Sequence, residues 1–152
     1  MRITKDELPA FAEKLLSCIK HNSNKNGATV LALSGDLGAG KTSLVQALAK
    51  ALGVGVVPPS PTFVIMRSYE TKDPIFTTLT HIDAYRFESI EELRPLHLDH
   101  VFSKQNGLVC VEWPEKLGDA IPKEAFRMGL IPIGENEREV TLPCDTEMAL
   151  QN

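Results

Sequence analysis

The sequence predicts a mixed α/β domain built round a central sheet, and three observations carry that prediction. Residues 29–34 are short and almost wholly apolar, as a strand covered on both faces should be, and a glycine-rich turn and a helix-periodic segment follow directly. Residues 107–111 repeat the buried-strand pattern. Two pairs of β-prone runs, each joined by a polar turn, indicate antiparallel hairpins. The 152 residues suit a single domain.

Taken in order, Thr4 and Glu7 have capping-box spacing, and Leu8, Phe11, Ala12, Leu15 and Ile19 recur at helical intervals, predicting an amphipathic helix over residues 5–20. Pro9 is compatible with that helix only near its first turn, where a missing N–H costs nothing. Residues 21–27 are a polar loop, 29–34 the first buried strand and 35–40 the glycine-rich turn. Leu44, Val45, Leu48 and Leu52 carry helical spacing over residues 41–52, and Gly53 supplies a stop. Pro58, Pro59 and Pro61 keep residues 56–61 out of helix and central strand. Residues 62–69 and 75–82 are β-prone around the polar segment 70–74, a hairpin. Ser89 and Glu92 form a second capping-box pattern, opening a short helix that Pro95 should cut. The strand at 107–111 ends in Glu112-Trp113-Pro114. Residues 126–133 and 138–142, joined by 134–137, make a late hairpin. Residues 1–2 and 144–152 are expected to fray.

Composition excludes several classes of function. A net charge of −4 argues against a protein that grips nucleic acid by itself, which would show a basic surplus or stripe. Apolar runs are only a handful of residues long, far short of the roughly 20 that a membrane span requires. The early acids Asp6 and Glu7 do not fit a secretory signal. Cys18, Cys110 and Cys144 are odd in number and far apart, which suits reduced thiols in a cytoplasmic protein better than disulfides or zinc.

Gly35-Asp36-Leu37-Gly38-Ala39-Gly40-Lys41-Thr42 satisfies G-x-x-x-x-G-K-[ST] at every position, with an apolar strand directly before it and a helix after. Glycines let successive backbone N–H groups turn inward on an anion, and the helix adds its positive end. Lys41 is a flexible charge able to reach the outer phosphates, and the Thr42 hydroxyl can ligate Mg²⁺. The fold expected is therefore P-loop NTPase-like, a three-layer domain whose central sheet is mixed and largely parallel, with antiparallel hairpins. Such a site needs an acid at the end of an apolar strand, and Glu112 stands there, in place of the more usual Asp. Asp83, after the β-prone run ending His81-Ile82, is a second acid that could hold a metal-bound water or orient the attacking one; otherwise it is a turn acid with Tyr85 and Arg86 packing beside it. His97, Asp99 and His100 read as solvated or core residues before metal ligands, Trp113 as core before a base-stacking ring, and Cys110 as inert.

Four blocks occur in one order: the phosphate cradle, Ser60-Pro61-Thr62-Phe63, His81-Ile82-Asp83-Ala84-Tyr85-Arg86 and Val111-Glu112-Trp113-Pro114-Glu115. In this the sequence resembles the TsaE (YjeE) family, bacterial P-loop ATPases needed to make threonylcarbamoyladenosine in tRNA, over about residues 3–142. The resemblance implies ATP held by Gly35, Asp36, Leu37, Gly38, Ala39, Gly40, Lys41, Thr42 and Ser43, with Mg²⁺ at Thr42 and Glu112. It implies catalytic roles for Lys41, Asp83 and Glu112 and a γ-phosphate-sensing role for Thr62. Thr4 and the 134–138 loop, Glu137 included, would lie near the adenine. The implied partners are TsaB-like and TsaD-like proteins, the latter carrying the transfer chemistry, with tRNA met only through them. The sequence departs from the family pattern at Pro95 and at His97, where glycine is usual, in a stretch that resembles a partner-facing helix.

The six arginines are dispersed, so no arginine cluster is aimed at a transition state. Since such a finger is worth ~10³–10⁵ in rate, intrinsic hydrolysis is expected to be weak and to rise when partners dock, with Arg86 the best internal candidate for charge stabilisation. Two other readings use the same cradle. A small-metabolite kinase would need an arginine-bearing lid and an acceptor pocket, and neither is legible. A non-catalytic nucleotide sensor would keep full biological activity without Glu112 and Asp83.

Overall fold

A computed structural model describes residues 1–56 and 65–142. Its strands are β1 (Arg2–Thr4), β2 (Thr29–Ser34), β3 (Met66–Glu70), β4 (Thr78–Asp83), β5 (Gly107–Glu112), β6 (Phe126–Pro132) and β7 (Glu137–Thr141). Its α-helices are α1 (Leu8–His21), α2 (Lys41–Ala51) and α3 (Leu98–Ser103). The strands form one sheet in the order β1-β7-β6-β2-β5-β4-β3. The middle of it, β6-β2-β5-β4, is parallel, and the outer pairings β3–β4, β6–β7 and β1–β7 are antiparallel. The largely parallel sheet expected from the sequence is thus a parallel centre with antiparallel wings.

Alternation along the strands explains the layers. On one face Leu31 and Leu33 of β2, Leu108 and Cys110 of β5 and Leu79 of β4 meet Leu15 and Ile19 of α1 and Leu44 and Leu48 of α2. On the other, Val30, Ala32, Val109, Val111 and Ile82 meet Leu93, Leu98, Leu117 and Ile121, which come from 3₁₀ turns, α3 and connecting loops. Strands buried on both faces lose their polar alternation, which is why β2 and β5 were legible as continuous apolar runs.

Local departures have physical causes. The Thr4–Glu7 box forms, with the Thr4 N–H and hydroxyl both donating to Glu7 Oε2 at 2.8 Å, but α1 starts at Leu8 rather than at 5. A helix begun at 5 would need a hydrogen bond from Pro9 to the Lys5 carbonyl, and proline has no N–H. The first residues are paired in the structure: Arg2 pairs with Glu139, and Met1 exchanges hydrogen bonds with Val140. The coil after Ser89 is 3₁₀ over Ile90–Leu96 and passes through Pro95, ending at His97 with φ +48°. That left-handed backbone favours glycine, so the histidine departs from the usual residue where the chain has most use for one. Thr62, the proline-rich segment up to Pro61, Cys144 and the 144–152 tail lie outside the described residues.

Candidate nucleotide-binding site

Three parallel strands end on one edge of the sheet: Asp83 and Glu112 are the last residues of β4 and β5, and the glycine turn follows β2. Asp83 and Glu112 are directly paired across β4 and β5, Glu112 is paired with Leu33 across β5 and β2, and the glycine turn leaves β2 one residue later. Crevices outside the carboxyl ends of parallel strands are where α/β sheets bind ligands. A cleft of about 250 Å³ opens there, lined by Gly38, Gly40, Lys41, Thr42, Ser43, Asp83 and Glu112, with Leu37, Tyr85 and Trp113 at its sides.

The loop has the backbone its glycines permit. Gly35 has φ +142°, and a Cβ built on it would lie 2.3 Å from the Leu130 carbonyl oxygen of β6. Gly40, the residue before α2, has φ +100°. The Lys41 ammonium folds back within the turn, donating to the Gly35 and Asp36 carbonyls at 2.6 and 2.9 Å. Its Nζ also lies 4.1 Å from the centre of the Trp113 ring, a cation–π contact. Burial pushes the Lys41 pKa below the usual lysine range, partly offset by the charges of Glu112, Asp83, Glu115 and Asp36. Thr42, one residue into α2, donates its hydroxyl to Glu112 Oε1 at 2.8 Å. Asp83 Oδ1 accepts the Tyr85 N–H at 3.0 Å, and Asp83 and Glu112 are both buried.

A second hollow of about 230 Å³ adjoins the first through Gly40 and Ser43. Its walls are largely apolar, from Ile3, Leu8, Ala39 and Leu130, with Thr4, Lys5 and Arg138 also lining it. Arg138 fixes its position by donating Nε–H to the Ala39 carbonyl at 2.9 Å and Nη1 to the Gly134 and Glu137 carbonyls at 3.0 and 2.9 Å. Of the two residues expected there, Thr4 lines the hollow; Glu137 is its neighbour across β1 and β7, and Arg138 supplies the wall.

Trp113 packs partly buried against the second core face, as its place after an apolar strand suggested, and with Tyr85 it also lines the cleft, which the sequence did not signal. Trp113 is half-buried at φ +59°, and its ring stacks tilted against Tyr85 with centroids 5.1 Å apart. The strained φ turns the ring off the end of β5 towards Lys41, a placement that spacing alone does not encode. His97, Asp99 and His100 stay exposed around buried Leu98, as the short helix suggested. Among the described residues, no three His, Cys, Asp or Glu side chains converge as a metal cluster. No described helix is long and apolar enough to cross a membrane.

Comparison with known proteins gives the family and agrees with the fold. A family model described as "Threonylcarbamoyl adenosine biosynthesis protein TsaE" matches residues 3–140. The tRNA threonylcarbamoyladenosine biosynthesis protein TsaE of Bacillus subtilis is 39% identical over 112 residues, 74% of this chain and 67% of that protein. The protein of the same name from Treponema pallidum is 31% identical over 114 residues, 75% of this chain and 81% of that protein. The Synechocystis protein is 42% identical over 93 residues, but the match spans only 56% of its length. The crystal structure of Bacillus subtilis YdiB superposes with a TM-score of 0.68 at 29% identity, over 99% of this chain and 90% of that one. With a family match running from β1 to β7 and through both hollows, the chain belongs to the TsaE family of threonylcarbamoyladenosine biosynthesis proteins.

Proposed function

We propose that this protein is the Mg²⁺-dependent ATP-binding and hydrolysing subunit of a cytoplasmic complex that makes threonylcarbamoyladenosine in tRNA, working with TsaB-like and TsaD-like partners. The observation that carries the reading is the convergence at one sheet edge of the cradle, the Thr42–Glu112 hydrogen bond and Asp83. The N–H groups of residues 38–43 and the start of α2 would take the phosphates. Lys41 already sits beneath the turn and would exchange its carbonyl partners for phosphate oxygens. The largely apolar hollow lined by Arg138 would suit the base.

The residues present fit a divalent ion. Among the described residues, two buried carboxylates, Asp83 and Glu112, share the cleft with one ammonium, that of Lys41, which leaves it rich in negative charge. Thr42 and Glu112 would hold Mg²⁺ with phosphate and water oxygens completing its shell, and the ion would supply positive charge to the transferring phosphoryl group. Asp83, paired with Glu112 one strand over, would accept a proton from, or orient, a water on the γ-phosphate side. Arg86 is exposed and does not line the cleft, so the missing positive charge would come from a partner.

Steady-state ATP turnover with and without TsaB-like and TsaD-like proteins tests the reading. Turnover should be slow alone and rise with the partners, and Asp83→Ala and Glu112→Ala should each lower the stimulated rate by about 10²-fold or more. Brisk activity of the lone subunit that partners leave unchanged would refute the partnership. Full modification activity in both variants would favour a nucleotide sensor.

A further inference from the structure

Glu112 Oε1 has a second partner besides Thr42. His81 Nε2 lies 2.8 Å from the same oxygen, with His81 side chain 1% and Glu112 side chain 4% exposed. His81 belongs to β4 and lies opposite Cys110 of β5, on the α1/α2 face between apolar Leu79 and Leu108 on one side and the Asp83–Glu112 pair on the other. The other ring nitrogen, Nδ1, is buried and makes no hydrogen bond. All the polar capacity of this imidazole is therefore directed at one carboxylate oxygen. For packing alone an apolar side chain would serve better, because a buried nitrogen without a partner costs stability. Conversely, a carboxylate gripped by Thr42 alone could swing about its side-chain torsions, while two donors on Oε1 from two different elements fix its plane.

We propose that His81 is a positioning residue, whose Nε2–H holds Glu112 Oε1 so that the Thr42–Glu112 pair is pre-set to take a divalent cation. The role rests on the nucleotide–metal reading of the cleft and acts only through Glu112. Partners that orient a metal ligand from behind commonly govern metal affinity, and their loss costs about 10–100-fold. Nucleotide binding without metal, which draws on the glycine turn and Lys41, does not involve His81.

The sole tryptophan, Trp113, stands in the cleft against Lys41 and gives an optical signal independent of turnover. The test is to titrate ADP in EDTA, and then Mg²⁺ against the protein with fixed ADP, in wild type, H81L, H81N and H81Q, with thermal midpoints measured alongside. Leucine fills the site without a donor, asparagine is too short to reach Glu112, and glutamine can present an N–H near the Nε2 position. H81L and H81N should raise the half-saturating Mg²⁺ concentration about tenfold or more while metal-free ADP affinity stays within twofold, and H81Q should come back close to wild type. The thermal midpoints separate a loss of folding from a loss of metal affinity, since leucine removes both the orphaned nitrogen and a donor to a buried carboxylate. If H81L does not fold, the asparagine–glutamine contrast alone decides. Variants that match a Mg²⁺-responsive wild type, or that lose metal-free and Mg²⁺-dependent affinity equally, overturn the role of His81 and leave the nucleotide reading standing. So does H81Q behaving like H81N. A wild type whose ADP affinity ignores Mg²⁺ overturns the metal reading and the role of His81 together.

Discussion

At the scale of single residues, buried polar groups in this protein divide by what satisfies them. Lys41, Asp83, His81 and Glu112 are all nine-tenths buried or more and lie on one edge, where the Glu112 and Asp83 charges partly offset the effect of burial on Lys41. Cys110, two residues before Glu112 in β5, is fully buried, and burial together with the Glu112 charge pushes its thiol above the usual range, so it stays a packing residue. Asp73 is a structural counterpart. Its Oδ1 accepts the Ile75 and Phe76 N–H groups at 3.0 and 2.9 Å, closing the β3–β4 turn, and its other oxygen pairs with Lys20 at the end of α1. Burial works against its charge, but the Lys20 and backbone hydrogen bonds outweigh that and lower its pKa from 3.8. A lowered carboxylate pKa gives stability that is present above the unfolded value and lost as the pH falls through the folded one. Asp73→Asn should therefore cost about 1–3 kcal/mol at pH 7 by urea unfolding, with the gap to wild type closing below about pH 4. A gap that persists unchanged to pH 2 would mean that the charge is not what matters.

At the scale of elements, the strand–turn–helix unit is held in register by contacts from outside it. The Leu130 carbonyl of β6 lies where a side chain on Gly35 would have to go, while Gly38 has nothing within 4 Å of an added Cβ. Both have positive φ, so the two positions separate backbone strain from collision. Gly38→Ala should cost only the left-handed penalty of ~1 kcal/mol. Gly35→Ala should cost about 2–3 kcal/mol or more, and should also weaken ADP binding, because the turn must move off β6. Denaturant midpoints and ADP titrations of the two variants check this, and equal effects would show that the Leu130 contact is unimportant. The Arg138 bonds to Ala39 and to the β6–β7 turn tie the same loop from the other side.

At the scale of the whole molecule, bonds within and between segments tie the site together: the Thr42–Glu112 bond, the 3.0 Å Asp83 turn and the Arg138 ties join α2, the strand ends and the β6–β7 turn. A ligand that binds only the folded state stabilises it by ~2.7 kcal/mol at a hundredfold excess over its dissociation constant. For a chain of this size Mg²⁺–ADP should then raise the thermal midpoint by roughly 5–10 °C, and adenosine, lacking phosphates, by far less. Equal shifts from the two would show that the hollow beside Arg138, and not the cradle, supplies the affinity. The expected sheet, cradle and strand-end acids were legible because each rests on a local pattern: apolar runs, a fixed glycine spacing, and an acid at a run's end. The antiparallel β1, the start of α1 at Leu8 and the 3₁₀ coil through Pro95 were not, because partners far along the chain or a single missing N–H decided them.

The sequence by itself determined the chemistry: a loop able to wrap an anion, an ammonium and a hydroxyl at its end, and two acids closing apolar strands. Only the tertiary structure decided which groups meet. Asp83 and Glu112 become neighbours through parallel pairing of strands, and Trp113 comes over Lys41 through one left-handed residue. His81 reaches Glu112 because both fall on the same face of adjacent strands. Local patterns fix what a residue can do; register and crossover between distant segments fix what it does it to, and those depend on packing energies summed over the whole sheet.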